Sequence, residues 1–116
     1  MRRNGHKFNA VRTEVDGIKF SSKAEAKRYG ELKLLEKAGR ISHIVLQPKY
    51  PLYTQKPTDT GWQSSVVGHY VADFAYLNAN GEQVIEDVKG MKTALYRWKK
   101  KHFEMQQGQM ITEITR

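Results

Sequence analysis

Apolar and polar positions along the chain change period several times, and each change marks an element. The text "TEVDGIKF" (13–20) places short apolar pieces on either side of Asp16-Gly17, the pattern of a small hairpin. From Ser22 the period becomes helical: "SKAEAKRYGELKLLEKAG" is rich in helix formers, opens with Ser22 three residues before Glu25, and ends at Gly39. "ISHIVLQPKYPLY" (41–53) reads as a strand that Pro48 and Pro51 confine to an edge or terminate, and "TQKPTDTGWQSS" (54–65) as a polar loop. "VVGHYVADFAYL" (66–77) and "EQVIEDVKG" (82–90) read as two strands joined into a hairpin by Asn78-Ala79-Asn80-Gly81. A second helix is expected over Thr93–Gln107, with Leu95, Trp98 and Met105 as its core side, and "QMITEIT" (109–115) as a last strand.

The order is therefore helix, three strands, helix, strand. It predicts an α/β fold with a mixed central sheet flanked by helices, closed by a right-handed β-α-β crossover, with the first helix on one sheet face. Residues 13–116 are expected to form one domain and residues 1–12 a basic arm.

Charge complicates the second strand of the hairpin, because "VIEDVKG" (84–90) sets two acids and a lysine among branched apolar residues. Burying an ionised group is costly unless it is paired or bound to a metal. Side chains alternate along a strand, so Asp87 and Lys89 share a face with Ile85, while Glu86 lies on the other. A loop of Asn78 to Gly81, with Gly81 left-handed, sets residues 78 and 82 opposite one another. Counting back from that pair brings Asp73 opposite Asp87 on the same face. The same alternation assigns Tyr70, Phe74 and Tyr76 to the face away from Asp73.

Opposed like charges destabilise a sheet unless a cation lies between them. With no cysteine in the chain, the cation that suits two carboxylates is hard and oxygen-seeking, Mg²⁺ or Mn²⁺. Lys89 then serves to orient the attacking water or to neutralise charge on a scissile phosphate, as in metal-assisted phosphodiester hydrolysis. Glu25 has two readings. Helical periodicity turns it toward the core with Tyr29 and Leu32, where it is a candidate further ligand, yet Ser22 to Glu25 also matches a capping box.

Lys and Arg total 20 against 12 Asp and Glu, a net charge of +8, which points to a polyanionic partner such as nucleic acid. "RWKKKHF" (97–103) follows the lysine strand directly, and Lys99, Lys100 and Lys101, with Arg97 and Lys92, are the expected DNA contacts. Trp62 is read as a loop anchor or a base-stacking residue, and His69 is left outside the site. The basic start is followed by no apolar segment, and no apolar run reaches membrane-spanning length, so a soluble, unexported protein is expected.

Glu25 in an early helix, then Asp73, then Asp87-Val88-Lys89, resembles the PD-(D/E)XK nuclease superfamily, whose restriction-endonuclease-like αβββαβ core carries these elements in this order. The wider text, "VDGIKFSSKAEAKRYGELKLLEKAGRI", "LQPKYPL", "YVADFAY" and "EDVKG", is similar to a family of short bacteriophage and prophage proteins of unknown function grouped with those nucleases. The resemblance covers Asn9 to Gln107. It implies Asp73 and Asp87 as metal ligands, Lys89 as the catalytic lysine, Glu25 as the helical acid of the junction-resolving branch, and Gln47 as an auxiliary site residue. Ala72 stands where the superfamily name has proline, a position that varies among relatives. The implied activity is a Mg²⁺-dependent phage endonuclease acting on branched DNA such as Holliday junctions, as a homodimer in the cytoplasm of the bacterial host. The alternative is a non-catalytic DNA-binding accessory protein of phage replication or recombination that keeps the fold; an RNA-binding module has no signature here.

Overall fold

Asp16 at φ 54° and Gly17 at φ 75° turn the chain between Thr13–Val15 (β1) and Ile18–Phe20 (β2), two successive left-handed residues of the kind that suit the twist of a hairpin. These elements come from a computed structural model that describes residues 12–115; the expected basic arm lies outside the described residues except for Arg12. Helix α1 spans Lys23–Lys37, and the Ser22 hydroxyl accepts the Glu25 N–H at 3.1 Å to cap it. Past the helix end, Gly39 at φ 77° lets the chain leave.

The two strand segments around residues 41–53 and 66–77 are each broken in the middle. The first becomes β3 (Ser42–Leu46) and β4 (Lys49–Thr58), and the second β5 (Gly61–Val71) and β6 (Phe74–Leu77). The breaks face each other. The Gln47 N–H donates to the Asp73 carbonyl at 2.9 Å and the Ala72 N–H to the Pro48 carbonyl at 3.1 Å, so the two chains stay paired while leaving one sheet for another. Pro48 has no N–H to give a ladder, and Gln47 sits at φ 49°, a region non-glycine residues rarely occupy.

The polar text of residues 54–65 is accordingly no loop. It forms the outer part of a long β4–β5 hairpin paired from Lys49↔Val71 to Thr58↔Gly61, with a bulge between Leu52 and Tyr53. Nearly every residue of that outer part is exposed on both faces, so nothing selects an apolar alternation that would have revealed it.

The central sheet has the order β3-β6-β7-β8, with β7 at Gln83–Lys89 and β8 at Thr112–Thr115. β6 and β7 are antiparallel, in the register Leu77↔Gln83 to Phe74↔Glu86 that the Asn78–Gly81 turn predicts, with Gly81 at φ 79°. β7 and β8 are parallel and joined through helix α2, Ala94–Gln107. With the two outlying hairpins set aside, the order is α-β-β-β-α-β around a mixed sheet, as expected. Among the described residues no helix is long and apolar enough to cross a membrane.

Each helix covers one face of the sheet. Ala26, Tyr29 and Leu32 of α1 pack with Phe20, Phe74 and Tyr76, while Phe103 of α2 packs with Ala75, Ile85 and Ile111 and with Leu52 and Tyr70 from the base of the long hairpin. The assignment of Leu95, Trp98 and Met105 to the core is corrected: they are 59%, 71% and 77% exposed. Helix α2 carries two stripes at seven-residue spacing, Tyr96/Phe103 and Trp98/Met105, and only the first meets the sheet. Periodicity alone cannot tell which of two such stripes is covered.

Glu86 is only 1% exposed and points to the α1 face, as its parity requires. Arg28 grips it with Nε donating to Oε1 at 2.8 Å and Nη2 to Oε2 at 2.6 Å, and the Tyr76 hydroxyl donates to the same carboxylate. Removing one partner of such a buried pair strands the other charge. Arg28→Ala is expected to cost about 3 kcal/mol in urea denaturation, whereas the double replacement Arg28→Met with Glu86→Leu recovers most of that loss.

Candidate functional site

One step beyond the last β6–β7 pair, Asp73 and Asp87 meet where the hairpin ladder opens. The Asp73 N–H still donates to the Glu86 carbonyl at 3.1 Å, and its Oδ2 accepts the Val88 N–H at 2.7 Å, which ties the side chain across to β7. Asp87 is 1% exposed. Its Oδ2 accepts a short hydrogen bond from the Tyr70 hydroxyl. Its Oδ1 lies 3.0 Å from Lys89 Nζ, close as an ion pair but without an aligned hydrogen bond. The predicted partnership of Asp87, and not Glu86, with Lys89 is what the strand produces.

Glu25 is buried at the start of α1, where the Ser21 hydroxyl donates to its Oε2 at 2.9 Å. Ser22 caps the helix through the Glu25 backbone, so capping leaves the Glu25 carboxylate available to act on Asp73. The Asp73 carboxyl is pushed up to about 6, by burial first and by the charge of Glu25 second, against the Val88 N–H, Asp87 and Lys89, which pull it down. Asp87 is also pushed up to about 6, by burial and the charge of Asp73, with the Tyr70 hydroxyl and Lys89 opposing. Tyr70 titrates far above an ordinary tyrosine, through burial and its bond to Asp87, and so stays a donor.

Lys89 is held from a second side, its Nζ 4.2 Å from the centre of the Tyr96 ring. The Tyr96 hydroxyl donates to Glu113 at 2.7 Å, and Glu113 pairs with Lys92 at 3.0 Å. Gln47 is exposed and reaches the site by its backbone, directly across the ladder from Asp73. Lys92, Arg97, Lys100 and Lys101 line one cleft with Glu104 and Glu113, and Lys100 pairs with Glu104 at 3.2 Å. Lys99 stands outside that cleft.

Tyr70 is the residue that strand parity misassigns. The break at Ala72-Asp73 shifts the alternation, so Tyr70 joins the Asp87 face while Phe74 and Tyr76 keep the opposite one. Pro48, facing that break, is the sequence signal that could have exposed it.

Among the described residues no group of three or more His, Asp and Glu stands close enough to hold a metal ion, so Glu25, Asp73 and Asp87 are not a ready three-carboxylate cage. The donor chemistry does fit a hard divalent cation held by two carboxylates, Asp73 and Asp87, since Oδ1 of Asp87 lacks an aligned donor and both acids resist ionisation through burial and a neighbouring negative charge. Glu25 contributes through its charge.

Because both carboxyls hold their protons to higher pH in the folded chain than in the unfolded one, near 4, the folded state binds more protons between about pH 4 and 6. Stability therefore falls as pH rises through that window and stays reduced above it. Asp87→Asn is expected to raise the melting temperature at pH 7.5 by the equivalent of about 2 kcal/mol, with the gain vanishing toward pH 4. Thermal denaturation of both proteins at the two pH values checks this, and an equal difference at both would remove the electrostatic account.

No curated protein matches the chain, and neither does any solved structure. One protein family does, over residues 5–116, which takes in every element and site residue described above. The chain belongs to that family, described as "Protein of unknown function (DUF1064)".

Proposed function

We propose that the chain is a Mg²⁺- or Mn²⁺-dependent DNA endonuclease that hydrolyses phosphodiester bonds at the Asp73, Asp87 and Lys89 cluster. The observation that carries this reading is the meeting of two carboxylates, Asp87 buried and Asp73 half-buried, both held above the ordinary carboxylate range, beside a lysine ammonium at the open end of a hairpin. A purely structural role would favour a satisfied arrangement like that of Glu86 and Arg28.

Asp73 and Asp87 would hold the cation, which when bound polarises the phosphate and acidifies a water. Tyr70 positions Asp87 by occupying Oδ2, leaving Oδ1 turned toward the Lys89 ammonium. That ammonium, fixed between Asp87 and the Tyr96 ring, neutralises charge growing on the phosphate as the water oxygen bonds to phosphorus and the sugar oxygen leaves. Lys92, Arg97, Lys100 and Lys101 supply backbone contacts. The preference for branched DNA such as Holliday junctions, the phage origin, the host cytoplasm and the homodimer are drawn from the resemblance to junction-resolving nucleases. A second reading, a non-catalytic DNA-binding accessory protein, draws on the same basic cleft and on the missing three-carboxylate group among the described residues.

Wild type is expected to cut labelled forks, junctions, flaps or duplexes with Mg²⁺ or Mn²⁺ and not with EDTA. Asp87→Ala and Lys89→Ala should each lose at least about 100-fold in rate while keeping the circular dichroism of the folded protein. Binding without cleavage on all these substrates, with either metal, would leave the accessory reading.

A further inference from the structure

The stripe of α2 that does not meet the sheet forms one wall of a groove. Trp98 and Met105 stand in it with Lys101, His102 and Gln106, facing Tyr53, Thr54 and Gln55 of β4. The two walls are pinned together. The His102 ring lies 2.8 Å from the Tyr53 carbonyl, the Tyr53 N–H donates to Gln106 at 2.8 Å, and Gln106 donates to the Pro51 carbonyl at 2.9 Å. The groove is thus built into the fold, its walls tied together on either side of the bulge between Leu52 and Tyr53.

Trp98 belongs to neither core cluster and is 71% exposed, so packing gives no reason for so large an aromatic there. The groove is also not an isolated apolar patch. Lys101 lines both it and the basic cleft of Lys92, Arg97 and Lys100, and Gln55 lines both it and the surface beside Trp62, itself 72% exposed. No acidic side chain is among its described lining residues. The sequence of surfaces is a cleft of four cations with Glu104 and Glu113, an open indole and phenol, then a second indole.

We infer that this groove takes a single-stranded segment of DNA, with an unpaired base stacked on Trp98 and the adjoining phosphates on Lys101 and the basic cleft. Duplex DNA keeps its bases stacked on one another and would use the cations alone. An unstacked strand offers both a π-face and a phosphate at each step, which is what an aromatic groove continuous with a basic cleft can bind. The inference deepens the nuclease reading, and rests on it for where a cut would fall: at the boundary between a duplex and a single-stranded arm.

The test is equilibrium binding in EDTA, which needs no cleavage, by fluorescence anisotropy of a labelled dT oligonucleotide and of a blunt duplex. Trp98→Ala is expected to lower the ratio of single-strand to duplex affinity about tenfold, and Trp98→Phe to restore most of it. In a Trp62→Phe background the remaining indole fluorescence should be quenched on saturation with the oligonucleotide. An unchanged ratio in Trp98→Ala overturns the inference, as does a change confined to oligomeric state by light scattering, which would assign the groove to a second copy of the chain. Wild type that binds in this way but never cuts removes the nuclease reading and leaves the groove; an active nuclease whose Trp98→Ala ratio is unchanged removes the groove alone.

Discussion

The antiparallel pairing of β6 with β7, in the register set by the Asn78–Gly81 turn, is the constraint on which the other features depend. A slip of one residue would turn Asp87 to the α1 face, bring Glu86 to the α2 face, and separate Asp73 from its partner. The turn prevents that slip locally, since the Asn78 N–H closes on the Glu82 carbonyl at 2.8 Å and the Asn78 side chain accepts from the Asn80 and Glu82 backbones, both at 2.9 Å. A loop that takes no part in any chemistry therefore decides which acids meet.

The register delivers two buried acids to opposite faces with opposite outcomes. Glu86 finds a guanidinium fork and a tyrosine hydroxyl, and its charge is matched by groups that the fold itself supplies. Asp87 finds a tyrosine, one poorly aligned lysine and another carboxylate, so its charged form is disfavoured where it stands. The contrast between adjacent residues of one strand separates a structural ion pair from a site held in tension. The fold tolerates such a site because the two core clusters on either side of the sheet carry the stability.

The paired breaks at Gln47-Pro48 and Ala72-Asp73 have a second consequence. By sending the long hairpin away from the central sheet, they carry Tyr70 back over Asp87 and lay β4 against α2. The residue that steadies the acid and the groove on the far side of the helix are products of the same bend. Gln47, exposed and left-handed at the bend, is one of three described non-glycine residues at positive φ, and it lies across from Asp73.

What was legible in the sequence was local. Helix α1 with its Ser22 cap, the Asp16-Gly17 and Asn78–Gly81 turns, the facing of Asp73 and Asp87, and the pairing of Asp87 with Lys89 all depend on neighbours within about a turn or a ladder step, whose geometry is nearly invariant. The order of elements and the mixed sheet followed from those pieces. The outer hairpin, the covered stripe of α2, the place of Tyr70 and the Arg28–Glu86 pair did not, because each is decided by what packs against it. An exposed strand needs no alternation, a helix with two stripes can bury either, and a break in a ladder reverses parity beyond it. Only the tertiary structure, by choosing which surfaces lose water, settled those choices.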